Sequence, residues 1–166
     1  DTTNPSYFIA QDEHGYYSII SKETEIKNNY TNITYAFDNF FVFTTQDGLS
    51  GVLDLYSGIE VEAQYDYIIV LEHAKALEAR VGSTVDMYSK NIEKVLTMEN
   101  GIVEKVGDNF TAIYSDTELK YINQDGEIVP NTEVYKDYKL YSYQAEDGKW
   151  GYKDALGNVV VDVDMI

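Results

Sequence analysis

Apolar and polar positions alternate along most of this chain, and the alternation is carried by Tyr, Phe, Val, Ile and Thr rather than by helix-forming residues. A period of two with β-branched and aromatic side chains predicts half-buried strands. The segments that read this way are 7–11 (YFIAQ), 40–45 (FFVFTT), 51–56 (GVLDLY), 110–114 (FTAIY), 119–123 (LKYIN) and 140–145 (LYSYQA). Between them stand Gln46-Asp47-Gly48, Gln124-Asp125-Gly126, Glu146-Asp147-Gly148 and Leu156-Gly157-Asn158, where Asp-Gly and Gly-Asn supply the positive φ that tight hairpins require. The stretch 71–81 (LEHAKALEARV) has the best helix propensity in the chain, yet its strand-like flanks and the repeat described next assign it to a strand as well.

The strands recur as a unit. Leu53-Asp54-Leu55-Tyr56-Ser57 returns as Val85-Asp86-Met87-Tyr88-Ser89, residues 121–129 lie over 152–160 without a gap, and Gly15-Tyr16-Tyr17-Ser18 enters the same slot near the start. Taking Ser18, Asp54, Asp86, Asn123 and Asp154 as equivalent gives about five units with a period of about 34 residues, the size found in solenoids, propellers and arrays. Their approximate frames are 7–40, 41–74, 75–109, 110–139 and 140–166, the last incomplete, within a single repeat domain over 1–166. The expected fold is all-β: tandem hairpin units of two to three strands stacked as a β-solenoid, with a five-bladed β-propeller as the alternative.

Residues 147–160, from Asp147-Gly148-Lys149-Trp150-Gly151-Tyr152 to Val159-Val160, resemble the signature of the WG-repeat family of bacterial proteins. The second unit follows the same pattern with Asp47-Gly48, Ser50-Gly51, Asp54, Gly58, Ile59, Val61 and the pair Tyr65-Asp66. His14-Gly15 and Ser50-Gly51 occupy the Trp-Gly slot without the tryptophan, while Thr84 and Lys120 stand before the corresponding strands of units three and four. The resemblance implies a β-repeat framework built on Gly15, Gly51, Asp54, Tyr65, Asp66, Asp86, Asn123, Gly151 and Asp154, and an interaction or binding module rather than an enzyme. It also implies an exported or envelope-associated bacterial protein, and the absence of an initiator methionine before Asp1 agrees with that expectation.

Charge narrows the partners. Twenty-nine Asp and Glu against twelve Lys and Arg give a net charge of −17, so nucleic acid and anionic membrane surfaces, which need clustered cations, are excluded as partners. No apolar run is long enough for a membrane span, and the lack of cysteine removes disulfides and thiolate chemistry. A protein or glycan partner is therefore expected, with no cofactor; the oligomeric state stays open.

The candidate chemistry is sparse. Trp150 with Tyr141, Tyr143 and Tyr152 could stack on a partner or a sugar ring, although an aromatic and a glycine at fixed repeat positions equally build core. Asp54, Asp86 and Asp154 read as acceptors for turn backbone. Asp66, Glu72, Glu78, Asp162 and Asp164 offer carboxylates for a glycoside hydrolase or its accessory domain, the enzymatic alternative to a binding module. His14 and His73 lack nucleophile-elbow or zinc-hydrolase spacing, and no Gly-rich phosphate loop is present. Acidic turns and Asp162-Val163-Asp164 leave calcium open without the EF-hand spacing. A structural spacer is the remaining reading.

Overall fold

The computed structural model describes residues 7–21, 25–138, 141–153 and 159–161. More than half of these residues lie in strands, and the strands form five separate antiparallel sheets in chain order. Sheet one holds β1 (Tyr7–Gln11), β2 (Tyr17–Ser21) and β3 (Glu25–Tyr30), and sheet two holds β4 (Asn32–Phe37), β5 (Phe40–Thr44), β6 (Ser50–Asp54) and β7 (Gly58–Tyr65). Sheet three holds β8 (Tyr67–Val70), β9 (Leu77–Val81), β10 (Thr84–Tyr88) and β11 (Lys94–Glu99); sheet four holds β12 (Ile102–Val106), β13 (Phe110–Tyr114), β14 (Leu119–Ile122) and β15 (Ile128–Val129). After α1 (Asn131–Tyr138), sheet five holds β16 (Tyr141–Gln144), β17 (Trp150–Lys153) and β18 (Val159–Val161). The expected all-β repeat array is borne out, with four strands rather than two or three in each of the three middle sheets.

The four-stranded sheets open at Asn32, Tyr67 and Ile102, a constant step of 35 residues, so pairing begins some residues ahead of the frames 41–74, 75–109 and 110–139. A meander explains this. Within each sheet every strand pairs with the next in sequence, and a single residue, Asp66, joins β7 of sheet two to β8 of sheet three. The hairpin turns repeat in detail. In the segments 12–16, 45–49, 89–93, 123–127 and 145–149 the first residue's N–H donates to the fifth residue's carbonyl. In all five, the fourth residue's N–H donates back to the first. Gly15, Gly48, Gly126 and Gly148 fill the fourth position at φ of 73–87°, where an L side chain is strained.

This turn geometry corrects the alignment drawn from sequence. Asp54 Oδ1 accepts from the N–H groups of Tyr56 and Ser57, and Asn123 Oδ1 accepts from those of Asp125 and Glu127. In sheet three the same place is held by Ser89, whose Oγ accepts from Asn91 N–H, and not by Asp86, which lies three residues earlier inside β10. The sequence match was off because Leu53-Asp54-Leu55-Tyr56-Ser57 and Val85-Asp86-Met87-Tyr88-Ser89 look alike yet stand 32 residues apart, three short of the structural step of 35. His14-Gly15 likewise belongs with Asp147-Gly148 in the turn, which leaves Tyr17-Ser18 in the Trp-Gly slot of sheet one. Ser18 therefore sits inside β2, and Asp154 lies outside the described residues.

Packing runs from sheet to sheet. Tyr7, Tyr17, Ile19 and Tyr30 of sheet one cover Ile33, Phe41, Phe43 and Leu53 on one face of sheet two. On its other face, Val42, Val52, Val61 and Tyr65 meet Leu77, Ala79 and Tyr88 of sheet three. Val85, Met87 and Met98 then meet Ile113 and Ile122 of sheet four, whose far face, with Phe110, Ala112 and Tyr121, is covered by Val134 of α1. The middle strands are thus buried on both faces and not half-buried as their alternation implied; all but the last residue of β6 and β13 are buried. An all-apolar run such as Phe40–Phe43 fits this better than a one-sided strand.

Two further expectations change. Only Leu77–Val81 of 71–81 is strand, and residues 71–76 form a loop closed by Leu71 N–H donating to Ala76 O. The helix α1, with Pro130 just before it and Glu133 in its first turn, stands where sheets two to four place their first strand; Pro-Asn-Thr-Glu is a helix-start signal legible in the sequence.

Gly51 marks how close the layers come: a Cβ there would lie 2.4 Å from Val61 O and 2.7 Å from Phe43 Cζ. Gly51→Ala is expected to cost about 1–3 kcal/mol, the range for overpacking a dense core, read as a lowered denaturant midpoint at unchanged slope. A variant as stable as the parent would contradict the close packing of β5, β6 and β7.

Candidate functional site

Two polar clusters lie between sheets. In the first, the Tyr65 hydroxyl donates to Asp86 Oδ2 at 2.6 Å and shares a 2.6 Å hydrogen bond with the Tyr88 hydroxyl. Thr97 Oγ1 donates to Asp86 Oδ1 at 2.6 Å, and Lys94 Nζ stands 3.5 Å from Asp86 Oδ2. The geometry follows from sheet register, because Asp86 pairs directly with Thr97 across β10 and β11 and faces Tyr65 of sheet two. Burial opposes ionisation of Asp86, but the Thr97 and Tyr65 hydroxyls and the Lys94 ammonium outweigh it and hold the carboxyl below its usual value. Burial and then the hydrogen bonds with Asp86 and Tyr88 push the Tyr65 phenol far up, so it remains a donor.

The second cluster is on the opposite face of sheet three, where Arg80 Nε donates to Glu78 Oε2 at 2.7 Å. The two side chains are only 16% and 10% exposed, and Arg80 is the chain's single arginine. Among the described residues no buried side-chain polar atom lacks a partner, and no group of three or more His, Cys, Asp or Glu is arranged to hold a metal ion. Both clusters are closed circuits. The first joins sheet two to sheet three through Tyr65 and Asp86, which serves sheet-to-sheet register, whereas the Glu78–Arg80 pair closes within β9.

A groove of about 410 Å³ opens where sheets two, three and four meet, lined by Phe37, Val70, Leu71, Glu72, His73 and Asp125 among others. The loop 71–76 forms its wall and ties the sheets together. Lys75 Nζ donates to Asp38 Oδ1 of the β4–β5 turn at 2.7 Å, and Lys75 N–H donates to Gln124 O of the β14–β15 turn at 2.7 Å. Asp125 is held by Lys90 at 3.2 Å, and His73 Nε2 shares a 2.8 Å hydrogen bond with Thr111 Oγ1. Leading into the groove is β8, the edge strand of sheet three, whose four residues Tyr67-Ile68-Ile69-Val70 are uncharged. Tyr67 and Ile69 are 47% and 45% exposed. Neither the groove nor β8 was singled out from sequence; an uncharged apolar edge strand between Asp66 and Glu72 was the signal available.

The aromatic residues expected to bind are split by register. In sheet five Tyr143 pairs with Gly151 and Tyr141 with Lys153, while Trp150 pairs with Gln144 and Tyr152 with Ser142. Directly paired residues share a face, so positions 150 and 152 lie on one face and positions 141 and 143 on the other. The ammonium of Lys153 sits 4.4 Å from the Tyr143 ring centroid. Of the carboxylates, Asp66 Oδ2 accepts from Gly82 N–H, Glu78 is bound to Arg80, and Glu72 lines the groove. Asp162 and Asp164 lie outside the described residues. His14 is surface-exposed beside Glu13, 3.6 Å away. No helix among the described residues is long and apolar enough to cross a membrane.

No protein-family model matches the chain, and no curated protein matches it. Among solved structures it is similar to the computationally designed Ika8 protein, with 13% identity and a TM-score of 0.37. That likeness covers 98% of this chain and 60% of the designed one.

Asp86 ties acid stability to the interior. A carboxyl held below its ordinary value stabilises the fold above that value, near 3.8, and the contribution is lost as pH falls through the depressed folded value. Asp86→Asn is expected to cost about 1–3 kcal/mol at neutral pH, the penalty for a broken buried hydrogen-bond network. Its stability, measured by denaturant unfolding from neutral to strongly acid pH, is expected to fall less steeply than the parent's below about pH 4. Parallel curves would show that Asp86 is not held ionised by its partners.

Proposed function

We propose that the protein is a non-enzymatic interaction module of the WG-repeat kind, acting in the bacterial envelope or outside the cell, and that its partner is a protein. The observation that carries this reading is β8: an uncharged, exposed edge strand, flanked by Asp66 and Glu72, that runs into the groove at Val70. An open strand edge offers unpaired N–H and C=O groups to an extended segment, which joins the sheet as a further strand, and pockets for its alternate side chains give selectivity. The acidic flanks and the net charge of −17 favour a segment carrying Lys or Arg.

A glycan platform is the weaker reading, because positions 150 and 152 lie on the opposite face from 141 and 143 and do not make one stacking strip. For hydrolysis, the groove acids are Glu72 and Asp125, and Asp125 is engaged by Lys90. Binding rather than bond cleavage suits such a groove.

The test is a binding screen against peptides that alternate Lys or Arg with apolar residues, run beside an envelope-glycan array. Peptide binding is expected, weakening as salt rises, and the double variant Tyr67→Ser/Ile69→Asp is expected to lose at least tenfold in affinity with its melting temperature nearly unchanged. Glycan binding without peptide binding, or sugar release abolished by Glu72→Gln, would overturn the reading.

A further inference from the structure

Sheets two to four present six edge strands, and five of them are guarded against further pairing. β12 carries Glu104 and Lys105, β7 carries Glu60 and Glu62, and β11 carries Lys94 and Glu99. β15 is two residues long and is followed by Pro130. β4 is uncharged, but its register breaks between Tyr35 and Phe37, and the Tyr35 hydroxyl donates to Asp38 O at its end. Only β8 has no charge, no proline and an unbroken register on its neighbour β9.

Register fixes which backbone groups this edge offers. Leu71 N–H donates to Ala76 O at 3.1 Å, so these two residues form a hydrogen-bonded pair, and the two kinds of pair alternate from there along β8 and β9. Ile69–Glu78 and Tyr67–Arg80 are then hydrogen-bonded pairs as well; in agreement, Arg80 O turns to the β8 side and accepts from Asp66 N–H at 2.8 Å. Ile68 and Val70 belong to the intervening pairs, so their N–H and C=O groups point away from β9. No hydrogen bond among the described residues engages those groups. The two side chains pack on the face turned to sheet two, where Ala36, Phe37 and Val70 line the groove. Asp66 and Glu72 stand two residues beyond them at either end.

We propose, resting on the strand-addition reading of β8, that the partner segment has the pattern Lys-x-apolar-x-apolar-x-Lys, with Arg equivalent to Lys, and pairs antiparallel with Ile68 and Val70. The antiparallel sense is that of every strand pairing in the five sheets and is the more stable one per residue. Each apolar residue exchanges both main-chain bonds with Ile68 or Val70 and shares its face, which turns its side chain towards Ala36 and Phe37. The residue between them lies beside the half-exposed Tyr67 and Ile69 and takes a polar side chain. The two cations meet Asp66 and Glu72, so Glu72 selects for charge and the Ile68 and Val70 backbone for register.

The experiment is an NMR titration of the whole chain with the end-capped peptide Lys-Thr-Val-Thr-Val-Thr-Lys and its variants. The peptide is expected to bind, and N-methylation of its third or fifth residue to weaken binding about tenfold, because Val70 O or Ile68 O loses its donor. N-methylation of the fourth residue is expected to change affinity less than about threefold, since that N–H points to water. Glu72→Lys is expected to weaken the lysine peptide about fivefold and the peptide with glutamine in both lysine positions less than about twofold, at a nearly unchanged melting temperature. Binding that is lost in Tyr67→Ser/Ile69→Asp but is most sensitive at the fourth residue, or equally sensitive at all three, would overturn the register and leave β8 as the docking strand. Failure of this peptide while peptides alternating Lys with apolar residues bind would overturn the pattern alone, and the absence of any peptide binding would overturn both proposals.

Discussion

Two-sided burial of the middle strands is the constraint on which the rest depends. A sheet with Phe41, Phe43 and Leu53 on one face and Val42, Val52 and Val61 on the other has no face to give to water. Each middle sheet therefore requires a neighbour on either side, and for sheets two and three the neighbours are supplied in sequence order by the adjacent copies of the meander. Gly51 shows the tightness this demands, since no Cβ fits between Val61 and Phe43.

Polar residues inside the stack follow from the same constraint. A side chain placed between two sheets loses water on both sides, so its hydrogen bonds have to be found in the adjacent layer. Tyr65 of sheet two reaches Asp86 of sheet three, His73 of the β8–β9 loop reaches Thr111 of sheet four, and Lys75 ties the loop to Asp38 and Gln124. These bonds fix the offset between layers, which apolar contacts leave free to slide.

The proposed pairing with a partner strand rests on two features outside that packing, the exposed, uncharged edge strand β8 and the loop 71–76 that makes the groove. In that proposal the net charge of −17 is what favours a segment carrying Lys or Arg.

The local features were readable from the chain alone. Strands 7–11 and 110–114 have the bounds their alternation gives, Asp-Gly marks three of the turns with positive φ, and the repeat of about 34 residues is close to the observed step of 35. These depend on interactions a few residues apart, which sequence order records. Three things were not readable. The equivalence of Asp54 with Ser89 rather than Asp86 turns on the 35-residue step between sheets, which the look-alike segments 53–57 and 85–89, 32 residues apart, conceal. The face shared by Trp150 and Tyr152, and denied to Tyr141 and Tyr143, depends on which residues pair across two strands. The partnership of Tyr65 with Asp86, twenty-one residues on, exists only once two sheets lie face to face. Local periodicity determined the strands and turns; the stacking of one sheet on another decided which side chains meet, because that contact joins residues whose separation along the chain carries no pattern.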